Sequence, residues 1–180
     1  AVIVDGRMLR GGFGVAGELG HLRVVPDGIA CGCGQKGCIE SYASGTALVR
    51  TARELAASGD PTGKRLAELQ AEAGELTGAQ VYQAITEGDE GALGLLADVG
   101  SWTGQAIASL SAVLDPEIVV IGGGVSSAGE LLLGSIRKAY RKHMPAAGYR
   151  PELEIVTANF VNDAGVVGAA DLARVAFSDR

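Results

Sequence analysis

Residues 18–40 read ELGHLRVVPDGIACGCGQKGCIE and hold all three cysteines of the chain, one of its two histidines and a carboxylate at each end. The soft ligands are spaced His21-x9-Cys31-x-Cys33-x4-Cys38. Three thiolates and one imidazole in a short segment suit a tetrahedral Zn²⁺ ion. Gly32, Gly34 and Gly37 let the backbone wrap around an ion and leave N–H groups free to face sulfur. Four protein ligands form a closed set with no position for a metal-bound water. The expected zinc is therefore structural, held by the loop 21–38. Two other readings exist, free cysteines in a flexible loop or a redox pair. Cys31 and Cys33 are too close for an easy disulfide, and reactive pairs are more often spaced C-x-x-C, so the metal is favoured.

The two carboxylates gain meaning from that loop. Glu18 lies three residues before His21, and Glu40 lies two after Cys38. An ion that gathers His21 and Cys38 draws both carboxylates to one place. Ionised carboxylates accept hydrogen bonds from polyol hydroxyls, and the second imidazole nitrogen can face the same ligand. An isolated Glu is more often a solvated surface charge, so the weight rests on where these two stand.

The rest of the chain is organised around this segment. AVIV-DG-RMLR predicts a hairpin turning at Asp5-Gly6. GGFGVAG reads as loop, and HLRVV (21–25) as a short strand stopped by Pro26-Asp27-Gly28. A helix is expected from about Ser44, with Leu48, Val49, Ala52, Leu55 and Ala56 on one face. The polar run 57–77 reads as a surface excursion with a short helix near 64–72, too small for a separate domain. Two helices follow, over 78–89 and over 90–114. The second is largely apolar and serves as core or as a subunit surface, and Asp115-Pro116 ends it. EIVVI (117–121) predicts a buried strand feeding the turn Gly122-Gly123-Gly124. Helix, strand (152–158) and a small-residue helix close the chain. That order indicates a parallel α/β layer.

Bulk properties exclude several classes. The chain has 180 residues, 47% of them hydrophobic, enough for one domain with a real core and against wholesale disorder. A net charge of −6 argues against a nucleic-acid surface. Arg137, Lys138, Arg141, Lys142 and His143 cluster where a helix C-terminus suits cations. No run reaches the roughly 20 apolar residues of a membrane span. No signal peptide is visible, and three cysteines do not make a secreted disulfide framework, so a cytoplasmic location is expected. The chain starts at Ala1 without Met and enters a strand at once, which reads as a chain with a segment missing before it.

Taken together, Glu18-x-Gly20-His21, then Cys31-Gly32-Cys33-Gly34-x-x-Gly37-Cys38-x-Glu40, and Ser44-Gly45 opening a helix closely resemble the signature of the ROK family (repressors, open reading frames and sugar kinases). IGGGVS (121–126) and NDAGVVGAA (162–170) match further landmarks of that family in order, so the likeness spans nearly all of the chain. Within the family it is most similar to the glucokinases of high-GC Gram-positive bacteria. The resemblance implies an α/β fold of the actin/hexokinase-type ATPase (ribonuclease H-like) class. Residues 1–180 would be the C-terminal sugar- and nucleotide-binding domain of a two-domain kinase, with the N-terminal domain absent.

The resemblance also implies roles. Glu18, His21 and Glu40 would contact sugar hydroxyls, and His21, Cys31, Cys33 and Cys38 would hold the zinc. Gly122, Gly123 and Gly124 would lie by the adenosine of ATP. The activity implied is the transfer of the γ-phosphoryl group of ATP, with Mg²⁺, to glucose, giving glucose 6-phosphate for glycolysis. Family kinases also carry a phosphate-binding glycine turn and an Asp after Asn as general base. Neither can be placed here, because Asn162-Asp163 matches the final helix instead. The general base is expected upstream, and the 180 residues alone are expected not to transfer phosphoryl groups. A homodimer or homotetramer is implied, with no nucleic-acid or membrane partner. The alternatives are a ROK repressor that reads DNA through an added helix-turn-helix, or a kinase for fructose, mannose or an N-acetylhexosamine.

Overall fold

A computed structural model describes residues 1–160 and 163–178. Strands β1 (Ile3–Val4) and β2 (Arg7–Met8) form the expected hairpin, with Ile3 opposite Met8 and Val4 opposite Arg7. Its turn residues both take positive φ, 50° at Asp5 and 71° at Gly6, as a tight hairpin turn requires. A 3-10 turn follows at Leu19–His21.

Helices α1 (Glu40–Ala43) and α2 (Gly45–Ala57) follow the cysteine loop directly. Ser44 caps α2, its hydroxyl accepting the Ala47 N–H at 3.0 Å. Next come α3 (Lys64–Ala73), α4 (Gly78–Thr86) and the long α5 (Glu90–Leu114). Thr77 and Gln80 form a reciprocal capping box at the start of α4. Asp115, in the left-handed region at φ 43°, terminates α5 as expected. Then β3 (Ile118–Ile121), α6 (Glu130–His143) and β4 (Glu154–Thr157) make a strand–helix–strand unit, and α7 (Ala164–Ser178) closes the described chain. β3 and β4 pair in parallel, Ile118 opposite Glu154 through Ile121 opposite Thr157, which is the expected parallel layer. Of the NDAGVVGAA landmark, Asn162 lies outside the described residues.

The core is made mainly by helices. Leu48 and Ala52 of α2, Leu66 and Leu69 of α3, Val81 and Ile85 of α4, Leu96, Val99 and Ile107 of α5, and Leu132, Ile136 and Tyr140 of α6 form one cluster. Helix α6 lies close along α5 because Gly104 carries no side chain. A Cβ there would overlap the Ile136 carbonyl and come within 2.7 Å of the Ala139 Cβ. The long apolar helix is therefore core along this face. The basic residues close α6 as the sequence suggests, with Arg141, Lys142 and His143 in its last turn.

Three expectations differ from the structure. HLRVV is not a strand. Its residues wrap onto the cysteine loop, with Val24 N–H donating to the Gly37 carbonyl at 2.8 Å and Arg23 forming a lone bridge with Cys38. The run 57–77 is not a surface excursion. It does carry α3, but Leu66, Leu69 and Leu76 are buried in the core, which its polar majority conceals. β3 is not buried. Val119 and Ile121 pack on the core while Ile118 and Val120 are 49% and 56% exposed, because only one face of the two-stranded sheet is covered among the described residues.

One ion pair ties α3 to the end of α4. Arg65 Nε donates to Glu87 at 2.7 Å and Nη2 at 3.0 Å, and Gln83 donates to the same carboxylate at 2.8 Å. These bonds, Arg65 first, hold the Glu87 carboxyl down at about 2 from a usual 4.5. A depressed carboxylate stabilises the fold above its unfolded pKa, and that contribution disappears as pH falls through the folded value. Glu87→Gln is therefore expected to flatten the acid side of the melting-temperature profile between pH 4.5 and about 2, and to change little at neutral pH. Parallel profiles of the two proteins across that window would contradict this.

Candidate functional site

The cysteine loop is folded by its own backbone bonds. Cys31 N–H donates to the Gln35 carbonyl at 2.8 Å and Gly34 N–H to the Cys31 carbonyl at 3.0 Å, closing a tight turn with Gly34 at φ 88°. Gly37, at φ 79°, passes so close to Val25 that a Cβ would overlap its carbonyl oxygen. These constraints gather the four expected ligands. The side-chain donor atoms of His21, Cys31, Cys33 and Cys38 all lie within 4.8 Å of one another. Cys33 Sγ is 3.6 Å from Cys38 Sγ, and Cys31 Sγ is 3.7 Å from His21 Nδ1. A tetrahedral zinc with bonds of about 2.0–2.3 Å needs ligand–ligand edges of about 3.4–3.8 Å, so the donor set fits such an ion.

The thiols are already biased apart. The backbone N–H of Cys33, followed by neighbouring side chains, holds Cys31 down to about 7. Burial, then the neighbouring thiols, pushes Cys38 up to about 11. A cation at the centre of the cluster would favour the thiolate at all three.

The Glu40 carboxylate stands beside this cluster. Helix α1 begins at Glu40, so the residue after next from Cys38 starts a helical turn. Its Oε2 lies 3.6 Å from His21 Nδ1. Gly20 passes over Glu40, since a Cβ on Gly20 would lie 3.6 Å from the Glu40 Cβ. Glu18 precedes the 3-10 turn and accepts the His21 N–H through its carbonyl at 3.1 Å. Its side chain is exposed. Nδ1 is the imidazole nitrogen turned to the thiols, leaving Nε2 for another partner.

The glycine turn lies at a second place. Gly123 takes φ 82° and ψ 175°, a conformation that favours glycine, and the Ser126 hydroxyl donates to its carbonyl at 2.7 Å. Gly122, Gly123 and Gly124 line an open cavity of about 1170 Å³ together with Ser44, Gly45, Arg53 and Tyr82. Glu18, His21 and Glu40 are outside its walls, but residues 43–45, from the end of α1 to the start of α2, form part of them. A Cβ on Gly45 would lie 3.3 Å from the Val125 side chain, so the start of α2 abuts the glycine turn. The structure thus sets the end of α1 and the start of α2 beside the glycine turn. The sequence reading did not single out Arg50, Arg53 or Tyr82 as cavity walls; an aromatic at a half-exposed position of α4 was the available signal.

Residues 1–176 match the family model described as ROK family. The chain is 41% identical over 178 residues to the glucokinase of Streptomyces coelicolor, covering 96% of this chain and 55% of that protein. The crystal structure of a ROK family glucokinase from Streptomyces griseus in complex with glucose and AMPPNP matches with a TM-score of 0.86 at 40% identity, over 96% of this chain and 55% of that one. A ROK family transcriptional regulator, a homolog of the E. coli MLC protein, matches with a TM-score of 0.68 at 30% identity, over 85% of this chain and 37% of that one. The chain spans about half the length of the glucokinases it matches. Its strand–helix–strand layer and glycine turn have the α/β architecture of the actin/hexokinase-type ATPase fold shared by those kinases. With its motif, its fold and its relatives in agreement, the chain belongs to the ROK family.

Proposed function

We propose that the whole protein is an ATP-dependent glucokinase, and that this chain supplies the wall that orients the sugar and the turn that flanks the adenosine. One observation carries the reading: Glu40 Oε2 lies 3.6 Å from the ring nitrogen of His21 that itself faces the Cys31 thiol. A cross-linked loop thereby holds a carboxylate and an imidazole edge against one small volume. The glucokinase relatives and the glucose–AMPPNP complex support the substrate pair.

The roles follow from chemistry. Glu18 and Glu40 accept hydrogen bonds from glucose hydroxyls, and His21 Nε2 adds a third polar contact. His21, Cys31, Cys33 and Cys38 would hold zinc as a structural cross-link, since four protein ligands leave no open coordination position. Gly122–Gly124 let the backbone approach the adenosine closely. Mg²⁺ would accompany the ATP phosphates. Phosphoryl transfer then depends chiefly on holding the 6-hydroxyl in line with the γ-phosphorus, with its proton taken by a carboxylate outside this chain. Such chemistry belongs in the cytoplasm, and no described helix is long and apolar enough to cross a membrane. Self-association as a dimer or tetramer is part of the proposal.

A second reading, a sugar-sensing repressor, is favoured by the likeness to the transcriptional regulator. A coupled assay of the full-length protein across hexoses separates them. ATP-dependent turnover with the highest kcat/KM on glucose is expected. No turnover on any hexose would overturn the kinase reading, and a better hexose would overturn the glucose assignment. Glu40→Gln is expected to raise the glucose KM about tenfold or more, as loss of a charged hydrogen-bond acceptor costs about 1.5–3 kcal/mol.

A further inference from the structure

The cysteine loop meets the helical core through an aromatic contact. The Tyr42 ring lies 4.9 Å from the Trp102 ring of α5, with the planes tilted by 44°. The Tyr42 hydroxyl accepts the Ile29 N–H at 2.8 Å. From the same turn of helix, the Ser41 hydroxyl donates to the Ala30 carbonyl at 3.4 Å, and Arg50 donates to the Ser41 carbonyl at 3.1 Å. Residues 29 and 30 lead straight into Cys31. Gly28 leaves the space this needs, because a Cβ there would overlap the Tyr42 hydroxyl.

The remaining bonds of the loop are internal. Cys31 N–H to Gln35, Gly37 N–H to Ile29 and Val24 N–H to Gly37 hold its shape but not its position on α5. Buried Cys38 and Ile39 anchor one end in the interior. At the other end, near Ile29, the anchors come from the α1 turn: the Tyr42 hydroxyl at 2.8 Å and, more weakly, the Ser41 hydroxyl on Ala30 at 3.4 Å.

We propose that Tyr42 and Trp102 are positioning residues, a strut that sets the cysteine loop, and with it His21 and Glu40, at a fixed height on α5. Its functional consequence rests on the metal and sugar reading of that loop. The ring contact places Tyr42, and the hydroxyl passes that placement to the backbone ahead of Cys31. Glu40 opens the same four-residue turn, so it moves with Tyr42.

Hydrogen exchange on the purified protein tests the strut, with Tyr42→Phe, Trp102→Leu and Trp102→Phe beside the parent. Tyr42→Phe and Trp102→Leu are expected to speed exchange at the Cys31 and Gly37 amides about three- to tenfold, the range for one lost net hydrogen bond, while α5 and α6 amides keep their protection. Trp102→Phe keeps a ring and is expected to preserve parent rates. Unchanged exchange in Tyr42→Phe, or equal acceleration in loop and core, would overturn the proposal. Zinc content measured on the same samples separates the two readings. Zinc absent from the parent overturns the metal reading while the exchange comparison still judges the strut. Zinc present with unchanged exchange in Tyr42→Phe overturns the strut alone.

Discussion

On the proposed zinc and sugar reading, Cys33→Ser is expected to lose the zinc and, with it, most of the sugar affinity. Cys33 is exposed, so the smaller hydroxyl creates no cavity. What it removes is one corner of a set whose donor atoms all lie within 4.8 Å of one another. Outer partners of metal ligands cost about 10–100-fold in affinity when removed, and a direct ligand costs more, so zinc affinity should fall at least about a hundredfold. The loop then keeps its backbone turns but loses the link between His21 and Cys38. His21 and Glu40 drift apart, and the sugar Kd should rise about tenfold or more, since a hydrogen bond to a charged group contributes about 1.5–3 kcal/mol. Metal analysis and sugar titration of the full-length protein check both halves. Sugar affinity that survives the loss of zinc would break the link between the loop and the site.

A large effect on stability is expected at Gly104. Alanine is the better helix former by about 1 kcal/mol, so an exposed glycine in mid-helix would gain from the exchange. At Gly104 the new methyl group would overlap the Ile136 carbonyl and approach the Tyr140 nitrogen to 2.8 Å. Backbone atoms of α6 cannot swing aside, so the two helices must separate and the Leu96, Ile136 and Tyr140 packing opens with them. Overpacking of this kind costs about 1–3 kcal/mol or more, and for a chain of this size Gly104→Ala should lower Tm by about 4–10 °C. Gly94 is the control on the same helix. It is exposed, with nothing within 4 Å of its would-be Cβ, and Gly94→Ala should raise stability. Equal effects at the two positions would refute the close-approach argument.

Local chemistry was legible in the sequence wherever a feature is set by neighbouring residues. The turn at Asp5-Gly6, the helix start at Ser44, the stop at Asp115 and a strand within 152–158, observed over Glu154–Thr157, each depend on a few residues and were legible. The four ligands were legible because their spacing and chemistry admit few alternatives, and the structure gathers them. Features set by partners distant in sequence were not. Val24 and Val25 have the composition of a strand, yet their bonds go to Gly37. Leu66 and Leu69 sit in a polar run, yet α3 turns both into the core. Val120 has the composition of a buried strand, yet burial depends on what covers the sheet.

By itself the sequence determined the family and the four residues that could ligate a metal, because spacing and residue type are properties of the chain alone. Tertiary structure decided the rest. It turned Nδ1 of His21 toward the thiols, set Glu40 3.6 Å from it, and kept the glycine turn in a separate cavity bordered by the start of α2. It also placed Tyr42 between the loop and Trp102. Those facts depend on how close two helices can pack and on which backbone groups remain to be satisfied after they do, and no spacing along the chain encodes either.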